Sequence, residues 1–235
     1  MPQSHYNIYM DIIKKLKNSI IISCQAMPDE PFYNEIAMQS MLQSVINGGA
    51  QGLRVAGARD IKLSKKLCDL PIIAITKPDK IPSNYKEVVY ITPTLEDVKN
   101  LAEAGADIIA FDGTNRHRPG GCSLKEIIEL TQNLGCLAMA DISTFEEGVY
   151  ARELGADIVS TTLAGYTSHS ISTEGPDFGL LEKLVKNLDC PVILEGRIWN
   201  PDEVKKAFEI GAYTVVIGSA VTRPHQIVER FIKTK

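Results

Sequence analysis

One phrase recurs four times along the chain: a glycine, a small residue, then a short run of mostly apolar positions. It reads Gly49-Ala50-Gln51-Gly52-Leu53-Arg54-Val55, Gly105-Ala106-Asp107-Ile108-Ile109-Ala110, Gly155-Ala156-Asp157-Ile158-Val159-Ser160 and Gly211-Ala212-Tyr213-Thr214-Val215-Val216. The glycine suits the left-handed cap of a helix, and the apolar run behind it suits a strand buried on both faces. The four glycines stand 56, 50 and 56 residues apart, so each interval must hold more than one strand–helix unit.

The remaining strands lie between these phrases. Pro71–Lys77 and Pro191–Arg197 are near copies, and Ser19–Gln25 and Cys136–Ile142 complete a set of eight. Amphipathic stretches separate them, among them Leu95–Ala104, Leu124–Leu134, Phe145–Leu154, Leu180–Leu188 and Pro201–Ile210, with apolar positions at helical spacing. Strands alternating with helices form a parallel sheet. Eight even units predict a closed (β/α)8 TIM barrel, because no G-x-G-x-x-G follows the first strand as an open dinucleotide-binding sheet would require. The whole chain, 1–235, reads as one such domain, with a short N-terminal helix over about residues 6–18. Two connections are long: 78–90, and 164–177, whose Gly, Ser, Thr and Tyr content suits a lid over an active site. Val88–Thr92 is expected as a short strand outside the barrel.

Composition narrows the classes. A net charge of −4 offers no basic stripe, so nucleic acid is not an expected partner. No apolar run approaches the roughly 18 residues of a membrane span, and Met1–Lys17 carries charges where a signal peptide would be apolar. Five scattered cysteines without a C-x-x-C pair read as reduced thiols. The expected setting is the cytoplasm, away from membranes.

In this fold the site lies at the C-terminal ends of the strands. The odd strands end in Gln25, Lys77, Asp141 and Glu195, and even spacing from each strand's opening residue predicts that all four point into the barrel mouth as one layer. One polar strand end is explained by a solvated rim; four on alternate strands are not. The third and seventh strands face each other, so Lys77 and Glu195 should approach a ligand from opposite walls, as an acid/base pair for moving a proton on carbon requires. The even strands add Arg54, Asp112 and Thr162. Arg54 and Asp112 are candidates to hold sugar hydroxyls or an acyl carbonyl; pairing with a carboxylate of the layer is the alternative for Arg54.

After the seventh strand comes Gly196-Arg197, and after the eighth Gly218-Ser219-Ala220, with Arg223 just beyond. Small residues in these two loops are the usual phosphate-binding device of the fold, which makes this a barrel of the ribulose-phosphate-binding type. The four histidines, His5, His117, His169 and His225, fall in loops or at the N-terminus, so no metal is expected. The segment Asp141-Ile142-Ser143-Thr144-Phe145-Glu146 lacks the D-x-K-x-x-D run of phosphate-barrel decarboxylases.

Several stretches together resemble the N-acylglucosamine/N-acetylmannosamine-6-phosphate 2-epimerase family. They are Ser23-Cys24-Gln25-Ala26, Ile72–Lys77, Tyr90-Ile91-Thr92-Pro93-Thr94, Ala138–Thr144, Ser160-Thr161-Thr162-Leu163, Gly165-Tyr166-Thr167, Glu195-Gly196-Arg197-Ile198 and Thr222-Arg223-Pro224. The resemblance implies interconversion of N-acetylmannosamine 6-phosphate and N-acetylglucosamine 6-phosphate, without a cofactor, in sialic acid degradation. It implies Lys77 as proton acceptor and donor at C2 with Glu195 as partner, and sugar contacts from Gln25, Arg54 and Asp141. Gly218-Ser219 stands where the family has two glycines, and the middle of Asp112–Pro119 departs from the family pattern, leaving Arg116 and Arg118 without an assigned role. The expected ligand is a phosphorylated N-acyl amino sugar and the expected assembly a homodimer. The competing chemistry is a lyase or aldolase that forms a Schiff base at Lys77.

Overall fold

Four left-handed glycines set the frame of the barrel. Gly49, Gly105, Gly155 and Gly211 have φ between +90° and +111°, a region open to glycine and costly for residues with a Cβ. Each turns the end of one helix toward the next strand. This computed structural model describes residues 3–234.

The eight strands are β1 (Ser19–Cys24), β2 (Gly52–Ala56), β3 (Ile72–Ile75), β4 (Ile108–Asp112), β5 (Leu137–Asp141), β6 (Ile158–Ser160), β7 (Val192–Glu195) and β8 (Thr214–Ile217). All pair in parallel, in sequence order, and β1 closes onto β8. Outside run α2 (Glu35–Asn47), α3 (Gly57–Leu67), α4 (Leu95–Glu103), α5 (Leu124–Asn133), α6 (Phe145–Glu153), α7 (Phe178–Asn187) and α8 (Pro201–Ile210). Four of these begin with a reciprocal capping box, Thr94 with Asp97, Ser123 with Glu126, Thr144 with Glu147 and Asn200 with Glu203, which satisfies backbone N–H groups that a helix start leaves free.

The N-terminal helix, α1, spans Gln3–Leu16 and not 6–18. Asn18 takes φ +56°, a conformation that asparagine tolerates and a helix cannot contain. Tyr9, Ile12 and Leu16 then pack beneath the barrel interior. Val88–Thr92 forms no strand: a single bridge joins Val88 to His117, because Thr92 at φ +43° and the following Pro93 end any extended run. After β8 come a short helix, α9 (Ser219–Thr222), and α10 (Pro224–Ile232). Among the described residues no helix is long and apolar enough to cross a membrane.

The two-residue period of the strands decides what reaches the site. Ile21, Ile73, Ile75, Ile108, Ala110, Met139, Ile158, Ile193 and Val216 form the interior cluster, while Ile72, Ala74, Ile109, Ala138 and Val159 pack under the helices. Continuing the inner set by even steps reaches Gln25, Lys77, Asp112, Asp141, Thr162, Glu195 and Gly218. The chain therefore delivers polar groups to the mouth of a barrel whose shaft is apolar.

Candidate active site

The four strand ends do not stand at one height. Closing a barrel staggers neighbouring strands: Asp141 pairs with Ser160 and Ser160 with Ile193, two residues before Glu195, so Asp141 lies one layer below Glu195. The polar groups divide into two linked tiers.

In the upper tier Lys77 Nζ donates to Gln25 Oε1 at 2.7 Å, and Gln25 Nε2 donates to Ser23 Oγ at 2.8 Å. This chain fixes both ends of the Gln25 amide and leaves the remaining donors of Lys77 for a ligand. In the lower tier Arg54 Nη1 donates to Glu195 Oε2 at 2.6 Å, and Arg54 Nη2 donates to Asp141 Oδ2 at 2.5 Å. Thr162 Oγ1 lies 2.7 Å from Asp141 Oδ1 and 3.2 Å from Glu195 Oε2. Arg54 is 1% exposed and Asp141 0%, whereas the side chain of Glu195 keeps 13% exposure. The lower tier is thus a buried clamp, and Glu195 is the member that rises to the cavity.

That cavity, about 330 Å³, is lined by Lys77 and Gln25 on one side and by Glu195 and Thr162 on the other. Burial, aided by the Arg54 charge, pulls Lys77 down to about 8 against the pull of Glu195 and Asp141. Burial pushes Glu195 up to about 7, with Asp141 adding to the push while Arg54, Thr162 and Lys77 oppose it. Arg54 keeps its charge: burial works against it, but Asp141 and Glu195 outweigh burial and raise its pKa. Two groups on facing walls therefore titrate near neutrality, where either can take or give a proton.

The phosphate candidates, Gly196, Arg197, Gly218, Ser219 and Arg223, line the same cavity. Gly218 precedes the first turn of α9, and Thr222 Oγ1 donates to Ser23 O at 2.8 Å, tying that turn to β1. Arg223 forms an ion pair with Glu30. The guanidinium of Arg197 turns away from these loops, donating to Ala164 O at 2.6 Å and Gly175 O at 3.2 Å.

Arg54 and Asp141 bind each other, and Arg54 also holds Glu195, the carboxylate pairing that the sequence offers as the alternative for Arg54. Asp112 is fully buried and accepts from Thr114 N at 3.0 Å, Thr114 Oγ1 at 2.6 Å and Arg116. Arg116 also donates to Tyr85 O at 2.6 Å, and Arg118 donates to the Asp112 carbonyl. This cluster braces the β4–α5 loop against the 78–90 connection. The signal was present: an aspartate whose carboxylate can accept the amide two residues on is an Asx turn.

The sequence reading named no role for Tyr90, Tyr166, Trp199 or Gln226, which also line the cavity. Trp199, the sole tryptophan, follows the seventh strand directly and was findable on that ground. Gln226 comes from α10, outside the strand ends, and nothing in the spacing marks it. Among the described residues no group of three or more His, Cys, Asp or Glu side chains is arranged to hold a metal ion.

Comparison with known proteins adds an independent line. The family model described as "Putative N-acetylmannosamine-6-phosphate epimerase" matches residues 38–235. A protein of Caldanaerobacter subterraneus subsp. tengcongensis named "Putative N-acetylmannosamine-6-phosphate 2-epimerase" is 47% identical over 225 residues, covering 95% of this chain and 93% of its own. The solved structure of the N-acetylmannosamine-6-phosphate 2-epimerase from Clostridium perfringens superposes with a TM-score of 0.90 at 44% identity, over 95% of this chain and 96% of that one. A thiamine phosphate pyrophosphorylase from Pyrococcus furiosus, 17% identical with a TM-score of 0.58 over 93% of this chain and 98% of its own, shares the fold alone.

Proposed function

The chain belongs to the N-acetylmannosamine-6-phosphate 2-epimerase family, and from that premise we propose that Lys77 and Glu195 invert C2 of the sugar by holding one proton between them. The enzyme interconverts N-acetylmannosamine 6-phosphate and N-acetylglucosamine 6-phosphate. The observation that carries the mechanism is the placement of two near-neutral groups, about 8 and about 7, on opposite walls of one cavity.

The hydrogen on C2 is acidic only when C1 is a free aldehyde, so the pyranose first opens. The deprotonated member of the pair, the Glu195 carboxylate or the Lys77 amine, then removes the C2 proton from one face, and the electrons pass into the C1 carbonyl to give an enolate. The protonated member returns a proton to the other face, and the ring closes on the epimer. Between pH 7 and 8 the resting pair is the ammonium of Lys77 with the carboxylate of Glu195. Burial brings both groups toward neutrality from opposite sides, so the proton moves between them at little cost. Both directions of reaction use this singly protonated pair. Gln25 orients Lys77, while Arg54 and Thr162 hold Glu195, so each group meets the carbon with its position already fixed. A protonated Lys77 next to the developing oxyanion also stabilises it.

The phosphate fits the same cavity, against the main-chain N–H groups of Gly196–Arg197 and Gly218–Ser219 and the guanidinium of Arg223. Phosphosugars are made inside cells, which supports a cytoplasmic place in sialic acid degradation. A homodimer is supported by α10, which buries none of its own side chains while exposing Val228, Phe231 and Ile232.

The test is turnover of N-acetylmannosamine 6-phosphate followed by NMR, with borohydride added to a parallel sample. Appearance of the gluco epimer with no adduct on Lys77 supports the epimerase. A reduced covalent adduct on Lys77, with cleavage of the carbon chain, would replace it with a Schiff-base lyase.

A further inference from the structure

The connection between β6 and α7, residues 164–177, carries Tyr166 into the cavity wall. Arg197 grips it at both ends. Its Nη2 donates to the carbonyl of Ala164, where the connection begins, at 2.6 Å, and its Nε donates to the carbonyl of Gly175, near its close, at 3.2 Å. Between them the guanidinium lies over the Tyr166 ring, 5.0 Å from its centroid. The packing is flush: a Cβ on Gly165 would stand 2.8 Å and 2.9 Å from the two terminal nitrogens of Arg197. Gly165 itself has φ +79°, so glycine is required there for space and for backbone alike.

The same arginine stands two residues after Glu195 and holds a left-handed backbone, φ +56°, directly behind Gly196 at φ +110°. A non-glycine residue adopts that conformation at a cost, and persists there only when its surroundings hold it. Here the surroundings are the two carbonyls and the tyrosine ring of the 164–177 connection. The backbone path that leaves Glu195 and the position of that connection therefore depend on one side chain.

We infer that Arg197 is a positioning residue that staples the 164–177 connection, and Tyr166 with it, over the sugar, and that its guanidinium is not a phosphate ligand. For its kinetic readout the inference rests on the epimerase reading above; its structural readouts do not.

Three measurements on wild type, Arg197→Ala and Arg197→Lys test it. Chymotrypsin cleavage after Tyr166 reports the cover, calorimetric titration with inorganic phosphate reports the anion site, and steady-state kinetics report the reaction. Lysine keeps the charge but offers one ammonium in place of a planar fork, so it cannot bridge both carbonyls and stack on the ring. The expected result is faster cleavage in both variants, a phosphate Kd that is the same in alanine as in lysine because both lose the hold on the Gly196–Arg197 backbone, and a loss in kcat and KM together. A fall in kcat/KM of about 10-fold lies within the ~10² that a small misplacement costs, and lysine should not restore it. The inference is overturned by unchanged protection of Tyr166, or by a phosphate Kd that weakens about tenfold in the alanine variant and recovers with lysine. Absence of phosphate binding in wild type would count against the phosphate site of the proposed function, while the cleavage arm would still decide the role of Arg197.

Discussion

Arg54 reaches from β2 beneath the cavity floor to Glu195 on β7, its Nη1 donating to Oε2 at 2.6 Å, while its other terminal nitrogen holds Asp141. One buried cation thus faces two carboxylates, and the one proposed to act on C2 is the carboxylate with access to the cavity. Arg54→Met leaves both acids without the cation that pairs them, which should cost about 3–5 kcal/mol of stability, visible as a lower melting temperature. Arg54→Lys keeps the charge and loses the fork. It should fold and bind substrate with a lower kcat, because a single ammonium cannot keep the two-nitrogen grip on Asp141 while holding Glu195 in place. Full activity in the lysine variant would show that this geometry is not needed.

The pH dependence follows from the pair. The active form carries one proton shared between Glu195, about 7, and Lys77, about 8. Below about 7 Glu195 gains a proton while Lys77 keeps its own, so no base remains. Above about 8 Lys77 loses its proton and no acid remains. The profile of kcat/KM should be a narrow bell centred between these values, measured across the neutral range. Arg54→Lys should move its acid limb upward, since a less closely held cation stabilises the Glu195 carboxylate less. A profile that rises through 8 and stays flat would point to Lys77 as the sole base.

The phosphate end should matter for rate as well as for binding. Unphosphorylated N-acetylmannosamine should show kcat/KM lower by at least about 10²-fold, the equivalent of two charge-assisted hydrogen bonds at ~1.5 kcal/mol each. Arg223→Ala should weaken the phosphosugar and leave the unphosphorylated sugar almost unaffected. Comparable kcat/KM for the two sugars in wild type would place the phosphate elsewhere.

Much of this was legible in the chain because two rules are strict. Glycine at φ near +100° marks helix ends, as at Gly49, Gly105, Gly155 and Gly211, and a two-residue period fixes which side chains enter a barrel. Together they gave the eight strands and the inward set that includes Lys77, Glu195 and Gln25. Height within the barrel was not legible. It depends on the stagger between strands, a pairing property that no single strand records, so the burial of Arg54 and Asp141 is not legible from either strand alone. Side chains that fold back on loops were hidden for a similar reason. Arg197 reads as a phosphate residue in the sequence and Arg116 has no assigned role there; both guanidinium groups donate to backbone carbonyls that only the folded loops bring near.

The central claim is that Lys77 and Glu195 exchange the C2 proton. The most direct measurement is deuterium incorporation at C2 of N-acetylmannosamine 6-phosphate in D₂O, followed by NMR for wild type and Lys77→Ala, with melting curves to establish that the variant is folded. The account predicts incorporation with wild type and a rate at least about 10²-fold lower in the variant, the lower bound for losing a general acid or base. C2 exchange at near wild-type rate in folded Lys77→Ala would contradict it.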